Sequence, residues 1–411
     1  MADDKTEAEN RDSEQRRFEF NFPIFMVRTK LFSGVFDRLG AFRFSRWLSW
    51  VALVIVPVVA GIGLYLLING LVVFLWSPAA VDAAREAGPA AYLLLPGINP
   101  YLPVLYGLFA IFCAIVIHEG AHGVAARSLG LKVKSSGLLF LLFVPMGAFV
   151  DVDEEELKKA SGKVSSRVLA SGVGGNLVLG AVCLISVLLI VGGLAPVVNG
   201  VYVGNVSEGM PAETAGLLPG DVLVSVDGVM INGTEDLRLL LDSKSSGDLV
   251  EVTVARGDRW QNRYSTVVNL TVSDNQTVMG IGVRDLMTEQ RLRNYLTLAP
   301  QSIMLYIIPP AFFPGFVPFS DMLNPFYESW LGPAWAVYAN VLFWIWFVNV
   351  NVAVFNALPI YPLDGGRIFK IALQKIIRRK NSEKIATTIT AAVTAALVMV
   401  LVLIIALPFL L

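Results

Sequence analysis

Five stretches of this 411-residue chain are apolar for longer than a water-soluble helix needs: approximately 47–76, 102–129, 168–194, 333–360 and 385–411. A helix crosses the hydrocarbon core of a bilayer with about 20 such residues, so each stretch can span a membrane. A sixth, 296–319, carries Pro300, Pro309, Pro310, Pro314 and Pro318. Proline withholds its N–H and clashes with the preceding turn, so this stretch is a poor continuous helix. The expected fold is a polytopic α-helical membrane protein with five to six transmembrane segments. Composition agrees: 55% of residues are apolar, 16% are charged and the mean hydropathy is +0.63. No soluble core of this size could hide that excess.

Other classes fall away on simple counts. The net charge of −1 gives no basic field for nucleic acid. The two cysteines, Cys113 and Cys183, lie in apolar runs far from each other and suggest neither a disulfide framework nor a thiolate metal site. The first twenty residues are polar and read as a soluble tail, not a signal peptide. Over 25–46, basic residues alternate with aromatics and leucines, which reads as an interfacial amphipathic stretch.

Lysine and arginine set the expected orientation. They crowd before the first span, between the second and third (Lys132, Lys134, Lys158, Lys159, Lys163, Arg167) and between the last two, whereas 77–101 holds only Arg85. The N-terminus is therefore expected in the cytoplasm of a multi-pass protein of the cell membrane. With five spans the charge pattern closes, and the proline-broken stretch lies at the outer face without crossing. Four regions follow: a tail and lead-in over 1–46, membrane segments over 47–198, a polar domain over 199–285, and a second membrane region over 286–411. The polar domain is rich in Val, Gly, Asp and Thr with short alternating runs, as in a small β-rich fold. Its four Asn-x-Ser/Thr triplets, at Asn205, Asn232, Asn269 and Asn275, agree with an outward-facing position.

The only two histidines stand in His118-Glu119-Gly120-Ala121-His122. Chance would set two histidines four apart in a chain of this length roughly once in 200, before the intervening Glu is counted. On a helix this spacing brings both imidazoles to one face, where they can bind one Zn²⁺ while Glu119 serves as base toward water. The bland alternative, polar residues at a helix end, must place three ionisable groups in or beside an apolar span, where they are costly. Catalytic zinc usually takes three protein ligands. With no histidine left, a carboxylate is expected, and Asp364 arrives at the matching depth after the fourth span, where Pro359 and Pro362 break the helix and Gly365-Gly366 lets the chain turn. A solvated Asp at a helix C-terminus is the competing reading.

His118-Glu-x-x-His122 followed by Leu363-Asp364-Gly365 resembles the site-2 protease family of intramembrane zinc metalloproteases. Ser171-Gly-Val-Gly-Gly-Asn176 is similar to that family's small-residue segment ending in Asn, and 137–150 to its membrane-embedded β-hairpin. The run from Gly209 through Asp221 to Gly228 resembles a PDZ domain. The resemblance implies that Asp364 completes a zinc site with His118 and His122, and that Glu119 is the catalytic base. It further implies that transmembrane segments of other proteins are cleaved within the lipid bilayer. Asn176 and Asn356 are candidates for substrate contact, against a plain role in helix packing. The hairpin could offer its edge to an extended substrate, and the PDZ-like domain could exclude substrates or take a peptide ligand as an added strand. The acidic run Asp151, Asp153 and Glu154–Glu156 reads as a solvated helix start. Two readings of other classes compete: an inactive membrane scaffold binding partners through its PDZ-like domain, and a metal transporter. The transporter requires a second polar site across the membrane, which the sequence lacks.

Overall fold

The computed structural model describes residues 18–21, 24–29, 33–141, 144–273, 276–286, 289–297, 300–312, 314–377 and 381–410. Most of the polar tail and Asn275 lie outside them. By contacts the chain divides into two units, 1–184 with 344–411, and 185–343.

The first unit is built on long apolar helices. After α1 (Ser33–Ala41) comes α2 (Arg43–Trp76), which keeps Pro57 within one helix. The short α3 (Pro78–Ala87) is capped by Ser77 Oγ, and α4 (Val104–Ser128) follows. The acidic run opens α5 (Glu154–Lys159) as expected, because Asp153 Oδ1 accepts the otherwise unpaired amides of Glu155 and Glu156. Next is α6 (Gly162–Gly192). The second unit contributes α7 (Pro211–Thr214), α8 (Thr234–Asp242), α9 (Glu289–Leu296) and α10 (Pro300–Ile307). Then come α11 (Trp335–Ala357), α12 (Asp364–Ile376) and α13 (Ser382–Leu410). Among the described residues, α2, α4, α6, α11 and α13 are the five helices long and apolar enough to cross a membrane. They coincide with the five uninterrupted stretches in the sequence.

Small residues set how closely these helices approach. Ala52, Val56 and Val59 of α2 meet Ala170 and Val173 of α6 and Ala353 and Ala357 of α11 in one buried cluster. A Cβ on Gly174 would lie 2.7 Å from that of Ala52, and one on Gly175 would lie 2.8 Å from that of Ala121. Without a strong hydrophobic drive between helices in lipid, such close backbone contact supplies the packing.

The hairpin expected over 137–150 is one half of a larger sheet. β1 (Phe18–Asn21) and β2 (Ile24–Thr29) precede β3 (Val133–Leu141) and β4 (Val144–Val152), and all four pair antiparallel in that order. The stretch expected to be amphipathic over 25–46 therefore divides into a strand, α1 and the start of α2. The reason is local: Phe25-Met-Val-Arg-Thr29 is β-branched and aromatic with a period of two, and β3 offers it an unpaired edge.

The second unit holds the β-rich domain. β5 (Leu194–Pro196) is followed by β6 (Val201–Val206), β7 (Val222–Val226), β8 (Val229–Met230), β9 (Leu249–Arg256), β10 (Asn262–Asn269), β11 (Thr271–Ser273), β12 (Gln276–Val278) and β13 (Ile281–Asp285). β14 (Tyr327–Ser329) pairs with β5. The main sheet has the order β10-β9-β7-β6-β13 with antiparallel neighbours. β7 turns into β8 through Asp227-Gly228, both at positive φ (50° and 78°), the geometry an Asp-Gly hairpin turn requires. Val203, Leu223, Val226, Val252 and Val268 lie in its core. Beneath one end, the buried Asp221 carboxylate takes a two-pronged contact from Arg256, at 2.6 and 2.7 Å, and the amide of Leu218. Asn205, Asn232 and Asn269 are all exposed. Among the described residues of the proline-broken stretch the longest helix is α10, with eight residues, about 12 Å of rise and too short to cross.

Candidate metal centre

The site lies in the first unit, where α4, α6 and the start of α12 meet. His118 and His122 are one turn apart on α4, as their spacing requires. Asp364 is the first residue of α12, not the end of the preceding helix: α11 stops at Ala357, and the chain folds through Leu358–Leu363 before helix resumes. Gly365 and Gly366 are needed here for close approach, and neither has positive φ. A Cβ on Gly365 would overlap the carbonyls of Ala357 and Leu358, and one on Gly366 the carbonyl of Ile360. Only glycine lets α12 start flush against the end of α11, and that contact delivers the Asp364 carboxylate to the histidines.

The three side chains converge tightly. Asp364 Oδ2 is 3.1 Å from His118 Nε2 and 3.2 Å from His122 Nε2, and the two Nε2 atoms are 3.2 Å apart. Tetrahedral zinc with bonds of 2.0–2.1 Å separates its ligands by about 3.3 Å. Asp364 Oδ2 is buried and makes no hydrogen bond of acceptable geometry. Two imidazole nitrogens and a carboxylate oxygen facing one another in a buried space are largely electron-pair donors, and a divalent cation is the partner that satisfies all three. Among the described residues this is the one group of three or more His, Cys, Asp or Glu so arranged.

Supporting contacts fix the orientation. His122 Nδ1 lies 2.8 Å from the Val168 carbonyl of α6, so the proton on that nitrogen leaves Nε2 as a lone pair toward the site. Gly172, one turn further along α6, faces both rings: a Cβ there would lie 2.5 Å from His122 Nε2 and 2.6 Å from His118 Cε1. Glu119 is half-buried, and its Oε2 accepts the amide of Val150 at 3.1 Å. Among the described residues β4 is the last strand of its sheet, so this amide belongs to its unpaired edge, and the carboxylate between the two histidines also touches that edge of the hairpin.

The two asparagines are not alike. Asn176 is fully buried on α6, one turn beyond Gly172, and neither its Oδ1 nor its Nδ2 has a hydrogen-bond partner. Asn356 is half-buried and donates Nδ2 to the Val352 carbonyl of its own helix. Asn349, not singled out from the sequence, is fully buried on α11 with an unpartnered Oδ1. Its signal was an amide within an apolar span, a costly position. The Val150 amide and the Val168 carbonyl, being backbone groups, had no signal in the sequence.

A buried three-ligand group among apolar helices is what a membrane metalloprotease requires. The chain belongs to peptidase family M50, the site-2 protease family, whose model matches residues 106–401. It is 25% identical over 356 residues to an uncharacterized protein of Methanocaldococcus jannaschii, covering 87% of this chain and 79% of that one. A provisionally named zinc metalloprotease of Clostridium perfringens is 28% identical over 314 residues, 67% of this chain and 89% of its own. A membrane-bound transcription factor site-2 protease homolog of Arabidopsis thaliana is 26% identical over 232 residues, 55% of this chain and 42% of its own. Among solved structures, the PDZ domain of an SdrC-like protein from Listeria monocytogenes matches with a TM-score of 0.19 and 26% identity, over 21% of this chain and 88% of that one. The protein is thus a multi-pass membrane zinc metalloprotease.

Proposed function

We propose that the protein hydrolyses peptide bonds within the transmembrane segments of other membrane proteins, in regulated intramembrane proteolysis. The convergence of His118, His122 and Asp364 beside Glu119 carries this reading. His118, His122 and Asp364 hold the zinc in this scheme. When bound, zinc supplies Lewis-acid polarisation and acidifies water. Glu119 takes the proton from the attacking water and returns it to the leaving amine. Val168 and Gly172 keep the imidazoles in place.

Hydrolysis needs an extended substrate, and the free edge of β4 supports strand addition there. A strand that pairs with this edge competes for the Val150 amide, so docking releases the Glu119 carboxylate to act as base. Asn176 and Asn356 are the proposed substrate contacts; the unpaired amide of Asn176 supports its role, while Asn356 must first give up its bond to Val352. We place the N-terminus in the cytoplasm of the cell membrane and the PDZ-like domain, 199–285, outside as a recognition element, on the distribution of Lys and Arg.

The deciding experiment compares wild type, Glu119→Gln and Asp364→Ala in detergent for bound zinc and for cleavage of a panel of transmembrane peptides. Glu119→Gln should keep zinc and lose at least about 100-fold in rate, and Asp364→Ala should lose both. Equal cleavage by Glu119→Gln, or full zinc in Asp364→Ala, would reject the assignment. Zinc without cleavage in any protein would favour the inactive scaffold.

A further inference from the structure

We propose that the first turns of α2 and α6 form a binding site for the headgroup of an anionic phospholipid, made by Arg43, Arg46, Lys163 and Arg167 around the indole of Trp50. The proteolytic site plays no part in this inference.

Charge is the first ground. Four cations gather at two helix N-termini, where the backbone dipole is already positive and acidic residues are the usual choice. None of the four takes part in an ion pair among the described residues. The neighbouring acid, Asp37, is engaged by Arg127 at 3.0 Å. Arg167 is only 7% exposed. Its Nη2 donates to the Arg46 carbonyl at 2.6 Å and to Ser49 Oγ at 2.8 Å, but its buried Nε has no acceptor. A buried guanidinium without a counter-charge is expensive, and an anion in the site removes that cost.

The cations are also held in place. Arg46 donates from Nε and Nη2 to the carbonyl of Ser128, the last residue of α4. Lys163 Nζ and the Arg167 guanidinium carbon lie 4.3 and 4.9 Å from the centre of the Trp50 ring, so one indole keeps two like charges together. Beside them opens a groove of about 400 Å³ lined by Phe42, Arg43, Arg46, Trp47 and Trp50.

A lipid fits this site better than a soluble anion because the groove continues into an apolar track. Trp47, Trp50, Val54 and Val58 fall on one face of α2 and are 58%, 37%, 66% and 61% exposed. The tryptophans mark the interfacial level, and the valines beyond them would lie along an acyl chain whose phosphate sits among the cations.

Native mass spectrometry of the whole protein in detergent tests the proposal, with equimolar phosphatidylglycerol and phosphatidylcholine added. Wild type should retain one phosphatidylglycerol in preference to phosphatidylcholine. The double variant Arg43→Gln/Lys163→Gln changes two exposed side chains and should lose about 5-fold in affinity per charge, roughly 25-fold together. Lys384→Gln, an exposed cation in the first turn of α13, is the control and should retain wild-type binding. Thermal unfolding confirms that each variant is folded. Equal retention of the two lipids by wild type, or an equal loss in Lys384→Gln, would overturn the proposal. Release of the lipid by an equal concentration of inorganic phosphate would give the site to a soluble anion and overturn the lipid assignment.

Discussion

Replacing Gly172 with alanine probes the proposed centre without touching a ligand. The added methyl carbon would lie 2.5 Å from His122 Nε2, 2.6 Å from His118 Cε1 and 2.7 Å from His118 Nε2. Ordinary contact needs about 3.5 Å, so both rings or α6 itself must move by roughly 1 Å. Metal sites tolerate about 0.2 Å in ligand distance, so a shift of this size is several times too large. The rings have little room to yield, since His122 is tied to Val168 and Gly175 holds α6 against Ala121. We expect Gly172→Ala to weaken zinc binding by at least about 10–100-fold, the range found when groups that orient ligands are lost. Overpacking should cost about 1–3 kcal/mol in stability. The control is Gly120→Ala, between the two histidines, where a Cβ meets nothing within 4 Å. Zinc content by elemental analysis, a competition titration with a chelator and a thermal unfolding curve are measured on both. Wild-type zinc affinity in a folded Gly172→Ala protein would refute the reasoning, because the two imidazoles could not then be converging where α6 faces them.

In the β-rich domain, removing Arg256 should cost more than removing Asp221, because Asp221 is 1% exposed and would be left as a buried carboxylate, whereas Arg256 is 29% exposed and can turn to water. Hydrogen exchange of the β7 and β9 amides should show losses near about 5 and about 3 kcal/mol for Arg256→Met and Asp221→Asn, and the reverse order would reject this account. Asp227 is held below the usual carboxylate range by Lys244 and by the amide of Glu251. Its contribution is therefore present above the ordinary carboxylate pKa and disappears as pH falls through the lowered one. The domain's thermal midpoint should drop over that acid window in wild type, with a smaller drop in Asp227→Asn. Chelation of zinc should abolish peptide cleavage and lower the unfolding temperature, and added zinc should restore both; cleavage unchanged in excess chelator would exclude the metal mechanism.

How much could be read in advance depended on whether a feature repeats along the chain or is made across it. The five spans were legible because each is a continuous apolar run, and the structure ends them within a few residues of the expected limits. The β-rich domain was legible through its short alternating runs. The strand Ile24–Thr29 was hidden because it is six residues long, its neighbour β1 has only four, and its other partner, β3, comes more than a hundred residues later. Read over a twenty-residue window, its period of two merges with the basic and aromatic residues of α1 and α2.

At the metal centre the same division runs through single residues. His118, Glu119 and His122 are legible because one helix fixes their geometry, and Asp364 because two histidines leave a zinc site one ligand short. The glycines were visible as glycines but not for their reason. Gly365 and Gly366 serve close contact between the end of α11 and the start of α12, and Gly172 serves contact with the two rings, all of it set by other elements. Backbone groups lie further from sequence still, since every residue has a carbonyl and nothing marks that of Val168 until α4 and α6 are side by side. The proposed ligands are therefore a local pattern, while their alignment is a property of helix packing. It follows that substitutions in α6, which supplies none of the proposed ligands, should disturb zinc binding as strongly as many changes beside the histidines, and Gly120 and Gly172 give that comparison its two ends.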